Sequence, residues 1–113
     1  MTDENSKNKM KSVKLSEIEN YAKRIAAEFN PQKIILFDSY SNDYSNDDSD
    51  IDILVIGNFP ERVSEQAFKI RKKILRNFPV DLIVRDSKPL KKRLRLGDFF
   101  LQEIINNGKV LYE

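Results

Sequence analysis

The sequence predicts an α+β (α/β) fold in which helices flank a small mixed sheet. Three short apolar runs rich in β-branched residues, at 34–37, 51–56 and 80–84, have the length and composition of buried strands. Around them, apolar residues recur every three to four positions, as in helices that bury one face. The predicted order is α-β-β-α-β-α-α, which gives one sheet with helices to cover it.

At 113 residues the chain fits one domain. We assign this domain to residues 15–113. The polar, Lys- and Asn-rich segment 1–14 shows no periodicity and is expected to be a flexible tail.

The first helix is predicted to begin at a capping-box pattern, residues 16–19, and to end at Asn30-Pro31. The strand at 34–37 follows and leads into a polar stretch. The second strand, at 51–56, is closed by a turn-rich segment that begins at Gly57.

Apolar residues at three-to-four spacing from Val63 to Phe78 predict a helix of about four turns with a basic outer face. After the third strand, Ser87 is expected to cap a short basic helix that Gly97 stops. A last helix is predicted from Asp98 until Gly108, and residues 110–112 are predicted to add an edge strand.

The composition excludes several kinds of site. The chain has no Cys and no His, which removes disulfides, thiolate nucleophiles, zinc–sulfur sites and the commonest general base. Catalysis would therefore use carboxylates, hydroxyls, Lys, Arg or an oxygen-bound metal. No apolar run exceeds four residues, far below the roughly 20 that cross a bilayer, so no membrane association and a cytoplasmic location are expected.

The formal net charge of +2 conceals a strong segregation of charge. Residues 38–52 carry six Asp and no base, a charge of −6. Residues 61–95 carry twelve bases against four acids, a charge of +8. Such segregation is typical of a site that needs one sign of charge beside a surface that needs the other.

Three aspartates are the candidate chemical groups. Asp50 and Asp52 alternate at the start of the second strand and therefore point to the same side. Asp81 interrupts the apolar run of the third strand, where an unpaired buried acid would be costly. Carboxylates that converge repel each other unless a cation lies between them. Because all donors are oxygens, the expected cation is Mg²⁺ or Mn²⁺.

Such a site suits phosphoryl or nucleotidyl transfer, in which metal ions stabilise the attacking and leaving oxygens of an in-line displacement. The metals would take the place of the missing histidine.

The arrangement of these residues resembles a known superfamily. Asp38-Ser39 after the first strand, ten further residues, Asp50-Ile51-Asp52 and the later Asp81 are similar to the signature of nucleotidyltransferases of the DNA polymerase β type. The closing stretch 97–113 is also similar to members of the single-domain minimal (MNT) branch. The resemblance implies a nucleotidyltransferase fold over residues 15–113.

The resemblance also implies roles. Asp50 and Asp52 would ligate the metals, and Asp81 would complete one metal's shell and help to deprotonate the attacking hydroxyl. Ser39 would contact the β- or γ-phosphate of ATP or another nucleoside triphosphate, with Asp38 beside it at the nucleotide-binding position. Small proteins of this branch are often antitoxins of HEPN-domain ribonucleases, and some transfer AMP from ATP to a tyrosine of that toxin.

Two departures leave alternatives open. Asp38 stands where the family has glycine, and residues 41–43 read Ser-Asn-Asp where many members have Ala-Arg-Gly. A glycine there lets backbone amides approach the triphosphate, whereas Asp38 adds bulk and negative charge. One alternative is therefore a non-catalytic module that neutralises a partner by binding it.

A second alternative is a small nucleic-acid-binding protein that uses the basic stretch. That stretch could equally form solvated helix faces. The last helix, which carries Phe99 and Phe100, is expected to be mainly core, with part of its apolar face available to a partner.

Overall fold

The computed structural model describes residues 14–37 and 51–113. This part of the chain contains four helices and four strands, which confirms the predicted α+β class. In chain order they are α1 (Leu15–Phe29), β1 (Lys33–Phe37), β2 (Ile51–Gly57), α2 (Val63–Lys73), β3 (Val80–Asp86), α3 (Ser87–Arg95), α4 (Phe99–Asn107) and β4 (Lys109–Tyr112).

The four strands form one mixed sheet in the order β3-β2-β1-β4. β1 lies between β2 and β4 and is antiparallel to both, so the predicted final edge strand is confirmed. β2 and β3 are parallel, and α2 makes the crossover between them. A parallel pair joined in this way aligns the first residues of β2 and β3 at one end of the sheet.

The two faces of the sheet carry separate cores, because successive strand residues point to opposite sides. One core joins residues of α1, α2 and the segment after α2 to Ile34, Ile53, Val55, Leu82 and Val84 of the sheet. The other joins residues of α3 and α4 to Ile35, Phe37, Leu54 and Ile56. The sheet is therefore the middle of three layers, with α1 and α2 on one side and α3 and α4 on the other.

The ends of α1 agree only partly with the prediction. The helix begins after Lys14, whose backbone is extended and whose side chain makes no capping hydrogen bond. Ser16 lies inside the first turn, so the predicted capping box is wrong. The C-terminal prediction is confirmed, because Asn30 adopts the left-handed conformation (φ 52°) that ends a helix.

Helix α2 is shorter than the apolar spacing predicts. It ends at Lys73, and Ile74 is already extended (φ −105°, ψ 102°). Ile74 and Phe78 are buried as expected, but Phe78 lies in the connection to β3. Pro79 disfavours the helical conformation at Phe78, so the helix could not have reached that residue as predicted. Arg76 therefore lies on this connection, and its predicted place on the helix is wrong.

The boundaries of α3 and α4 are closer to expectation. Asp86 occupies the N-cap position of α3. Ser87 is the first helical residue, and its hydroxyl donates to Asn58 Oδ1 at 2.7 Å, so its predicted capping role is wrong. Asp98 is confirmed as the N-cap of α4, where its carboxylate accepts from the Leu101 N–H at 3.1 Å. No helix in the described ranges has the length and apolar character needed to cross a membrane.

Candidate active site

Two of the predicted aspartates are neighbours in the sheet. Asp52, the second residue of β2, is the Cα partner of Asp81, the second residue of β3. Neighbouring strands lie about 4.8 Å apart, and directly opposed residues face the same side of a sheet. The parallel register therefore brings together two carboxylates that are far apart in the sequence. Asp38, Ser39 and Asp50 lie outside the described residues.

The two carboxylates differ in exposure. Asp52 is 8% exposed, whereas Asp81 belongs to an edge strand and is exposed. Both lie on the sheet face that α3 and α4 cover, since Leu54 and Ile83, two residues farther along each strand, pack into that core. One carboxylate is thus held rigidly by the sheet, and the other is accessible to a ligand from solvent.

Aromatic residues border the buried carboxylate. Phe37, the last residue of β1, is the cross-strand partner of Asp52. The ring of Phe100, in the first turn of α4, meets the ring of Phe37 edge-on, with centroids 6.1 Å apart. Phe100 is nevertheless 49% exposed. The start of α4 therefore forms an apolar border beside the Asp52–Asp81 pair.

A cleft of about 520 Å³ continues along this side of the sheet. It lies between the end of β3 and helices α3 and α4, with Val63 contributing from α2. Its lining residues are Val63, Arg85, Asp86, Pro89, Leu90, Arg93, Asp98, Phe100 and Leu101. Arg85 lies four residues after Asp81, a distance of about 13 Å along a strand. Because Phe100 lines the cleft and also touches Phe37, the cleft begins beside the carboxylate pair.

The charged groups of the cleft are partly neutralised. Arg93 Nε donates to Asp98 Oδ2 at 3.0 Å, and Arg85 donates to the carbonyl oxygen of Val84 at 2.9 Å. The Leu101 N–H, and then Arg93, lower the pKa of Asp98 below its ordinary value of 3.8 because both stabilise the charged carboxylate. The cleft thus combines apolar walls with two guanidinium groups and two carboxylates, those of Asp86 and Asp98.

The donor chemistry fits a hard divalent cation. Asp52 and Asp81 offer only carboxylate oxygens on one sheet face, the ligands that Mg²⁺ and Mn²⁺ prefer. Within residues 14–37 and 51–113, no group of three acidic residues could hold a metal ion. The predicted three-aspartate site therefore depends on Asp50, which precedes the described part of β2, and it stays a prediction.

The cleft itself was not predicted from the sequence. Arg85 could have been found from the sequence, because it lies an even number of residues after Asp81 on the same strand and so must face the same side. Phe100 had none, because its contact with Phe37 depends on how α4 packs against β1. Arg93 lies in the basic stretch 61–95, whose composition predicts positive charge but no position in a cleft.

Comparison with known proteins agrees with this geometry. The family model described as "Nucleotidyltransferase domain" matches residues 15–111. A crystal structure of a putative nucleotidyltransferase from Sulfolobus solfataricus is similar, with 26% identity and a TM-score of 0.53, over 70% of this chain and 71% of that one. No curated protein matches the chain. The family match spans nearly the whole described fold, and the chain therefore belongs to the nucleotidyltransferase-domain family.

Proposed function

We propose that this protein transfers AMP from ATP to a hydroxyl group of a HEPN-type protein partner, with Mg²⁺ or Mn²⁺, and so acts as an antitoxin of the MNT kind. The observation that carries the proposal is the register of Asp52 opposite Asp81 in a chain of this family. The fold holds two carboxylates on one sheet face, with Asp52 buried and Asp81 exposed, and the sequence directs Asp50 to the same side.

The reaction divides into a few events. The acceptor hydroxyl oxygen forms a bond to the α-phosphorus of ATP, and the bond between that phosphorus and the bridging oxygen to the β-phosphate breaks. Pyrophosphate leaves, and the hydroxyl proton passes to a carboxylate, for which the exposed Asp81 is the candidate. When bound, a divalent cation neutralises phosphate charge and favours the alkoxide form of the acceptor.

The cleft beside the carboxylates is a suitable place for the nucleotide. Its apolar residues, among them Pro89, Leu90 and Phe100, would cover the base and the sugar. Arg85 and Arg93 also line the cleft, beside the carboxylates of Asp86 and Asp98. This assignment orients ATP along the sheet face with its phosphates toward Asp52 and Asp81.

The surface next to the cleft favours a macromolecular acceptor. Leu96 is 76% exposed and Phe99 is 77% exposed, and both lie close in sequence to Phe100 at the mouth of the cleft. Large exposed apolar side chains grouped near a site are typical of protein contacts. The exposed bases of α3 would suit an acidic rim on that partner.

The direct test is to incubate the protein with Mg²⁺, ATP labelled on the α-phosphate, and the product of an adjacent HEPN-like gene. We expect label on the partner and release of pyrophosphate. Asp52→Ala and Asp81→Ala should each reduce transfer by at least about a hundredfold, since each removes a proposed metal ligand. The control Glu65→Gln removes an exposed acid of α2, away from the site, and should leave the rate unchanged.

Absence of label transfer, or transfer that survives Asp52→Ala, would contradict the proposal. A substitution of Phe99 by Ser should weaken transfer to the protein partner more than it weakens binding of ATP. Equal effects on both would contradict the assignment of this surface to the acceptor.

The alternative of a non-catalytic binding module rests on Asp38 in place of the family glycine. It is distinguished by the affinity for ATP in the presence of Mg²⁺. Binding in the micromolar range favours the enzyme, and no binding at millimolar ATP favours the module. If Asp38→Gly creates both binding and transfer, the natural chain is a module derived from an enzyme.

A further inference from the structure

A second cavity lies on the other side of the sheet from the carboxylates. It has a volume of about 320 Å³ and is formed by the first half of α1 and the connection from α2 to β3. Its lining residues are Glu17, Asn20, Arg24, Leu75, Arg76, Asn77 and Phe78. Phe78 belongs to the core that α1 and α2 cover, so this cavity is separate from the proposed nucleotide cleft.

Two arginines that make no ion pair in the described part of the chain, Arg24 and Arg76, line the cavity. Arg24 donates to the carbonyl oxygen of Leu75, and nearby Arg71 donates to that of Leu82 at 3.2 Å. Four ion pairs occur in the described part of the chain, and none involves Arg24, Arg71 or Arg76. Within the described residues, the charges of Arg24, Arg71 and Arg76 are therefore not paired with a carboxylate.

A buried hydroxyl adjoins these cations. Tyr21 is only 1% exposed, and its hydroxyl has no hydrogen-bond partner within the described structure. Its ring meets Phe78 edge-on at 5.8 Å, and the Arg24 guanidinium lies 5.9 Å from the ring centroid. Burial raises the pKa of Tyr21, while the charges of Arg76, Arg71 and Arg24 oppose that rise.

We propose that this cavity binds a phosphate group. Arg24 and Arg76 supply guanidinium donors that match phosphate oxygens, and Asn20 and Asn77 supply amide donors. The cavity volume of about 320 Å³ is enough for a phosphate with part of its hydration shell. Glu17 is the single acid of the lining, and its negative charge should weaken the binding of an anion.

The site does not depend on the proposed transfer reaction, since it uses none of the residues assigned to it. Its ligand could be inorganic phosphate or pyrophosphate, or a backbone phosphate of a nucleic acid. The shared chemistry is a tetrahedral oxyanion, and the experiment separates the sources.

The test is a titration of the ¹⁵N-labelled protein with inorganic phosphate, followed by NMR and matched against sodium chloride of equal ionic strength. We expect saturable shifts at the backbone amides of Asn20, Arg24, Arg76 and Asn77. Arg76→Gln should weaken binding by at least about tenfold, because it removes a charged hydrogen-bond donor. Glu17→Gln should tighten binding, because it removes the opposing charge.

The matched control is Arg95→Gln, which removes an exposed arginine on α3, on the other side of the sheet. It should leave the affinity unchanged. Thermal melting of each variant verifies folding, and because Arg76 makes no hydrogen bond or ion pair within the described residues, its replacement should not lower the melting temperature.

Titrations with pyrophosphate and with a short single-stranded oligonucleotide distinguish the sources. If pyrophosphate binds more tightly than inorganic phosphate and this binding is lost in Arg76→Gln, the natural ligand is a free anion. Tighter oligonucleotide binding that falls steeply with salt and is lost in the same variant assigns a nucleic-acid phosphate. The absence of saturable shifts, equal affinity in Arg76→Gln, or weaker binding in Glu17→Gln would overturn the proposal.

Discussion

Replacing Tyr21 with phenylalanine should stabilise the protein. The side chain is 1% exposed, and its hydroxyl has no hydrogen-bond partner in the described structure. Folding therefore strips water from this hydroxyl without giving it a protein partner. The ring contact with Phe78, at 5.8 Å between centroids, should persist in the variant.

The size of the effect follows from two opposing contributions. An unsatisfied buried polar group costs about 1–3 kcal/mol. The nearby charges of Arg24, Arg71 and Arg76 partly compensate by interacting with the hydroxyl dipole, so we expect a gain near the lower end, about 1 kcal/mol. For a domain of this size, that gain corresponds to a rise of about 4 °C in Tm.

The gain should increase at alkaline pH. Burial raises the pKa of Tyr21 above its ordinary value of 10.0, so the wild-type chain loses stability as the pH rises from that value through the folded-state pKa. The phenylalanine variant has no proton to lose at this position. The difference in stability between the two proteins should therefore widen above pH 10.

The assay is urea unfolding followed by circular dichroism, with Tm measured in parallel. The control is Tyr112→Phe, which removes a half-exposed hydroxyl and should change the stability by less than about 0.5 kcal/mol. A loss of stability in Tyr21→Phe would refute the reasoning, because it would show that the hydroxyl is satisfied in the folded state.

Three further substitutions test packing and charge, each by denaturant or pH-dependent unfolding. Gly108→Ala should destabilise by about 2 kcal/mol, because its Cβ would lie 2.4 Å from Ile35 Cγ2 and 2.5 Å from a backbone oxygen. Leu54→Ala should cost about 3 kcal/mol, since Leu54 is fully buried in the α3–α4 core. Asp98→Asn should remove one source of acid-induced destabilisation. The Leu101 N–H and Arg93 lower the pKa of the Asp98 carboxyl in the folded state. The carboxylate therefore stabilises the fold above the ordinary pKa of 3.8, and this stabilisation is lost as the pH falls through the pKa of the folded state.

Matched controls accompany these changes. Leu75→Ala truncates a leucine that is 67% exposed and should be nearly neutral, and a cost equal to that of Leu54→Ala would contradict the core assignment. Glu103→Gln removes an exposed acid from α4 and should retain the acid dependence that Asp98→Asn loses. A fully stable Gly108→Ala would show that the approach of α4 to β1 is looser than described.

Much of the architecture could be predicted from local sequence. Each strand occupies a short apolar run. Asn30 and Gly97 mark helix ends because both have a positive φ, and Gly108 does so because a Cβ there would meet Ile35. The end of α2 could not be predicted from spacing, because buried residues after a helix can continue its period by chance. Phe78 does so while lying in a connection, and Pro79 is a signal against helix at Phe78 alone.

The candidate site was predictable as a set of residues but not as an arrangement. Asp52 and Asp81 stand out because acids are costly within apolar strands. Their apposition requires the parallel register set by the α2 crossover, which no spacing in the chain encodes. The cleft arises where α3 and α4 meet the sheet, and the second cavity arises where α1 meets the connection from α2 to β3, so their linings combine residues with no local relationship.

The strand order gives Asp81 a second consequence. β3 is one of the two outer strands, so its free backbone groups could pair with a strand of another molecule. Charged residues on such a strand oppose that pairing, and Asp81, Arg85 and Asp86 place three charges along seven residues of β3. Variants in which a neutral residue replaces Asp81 should therefore self-associate more readily than the natural chain. The activity of such variants is best measured at protein concentrations where sedimentation shows a monomer.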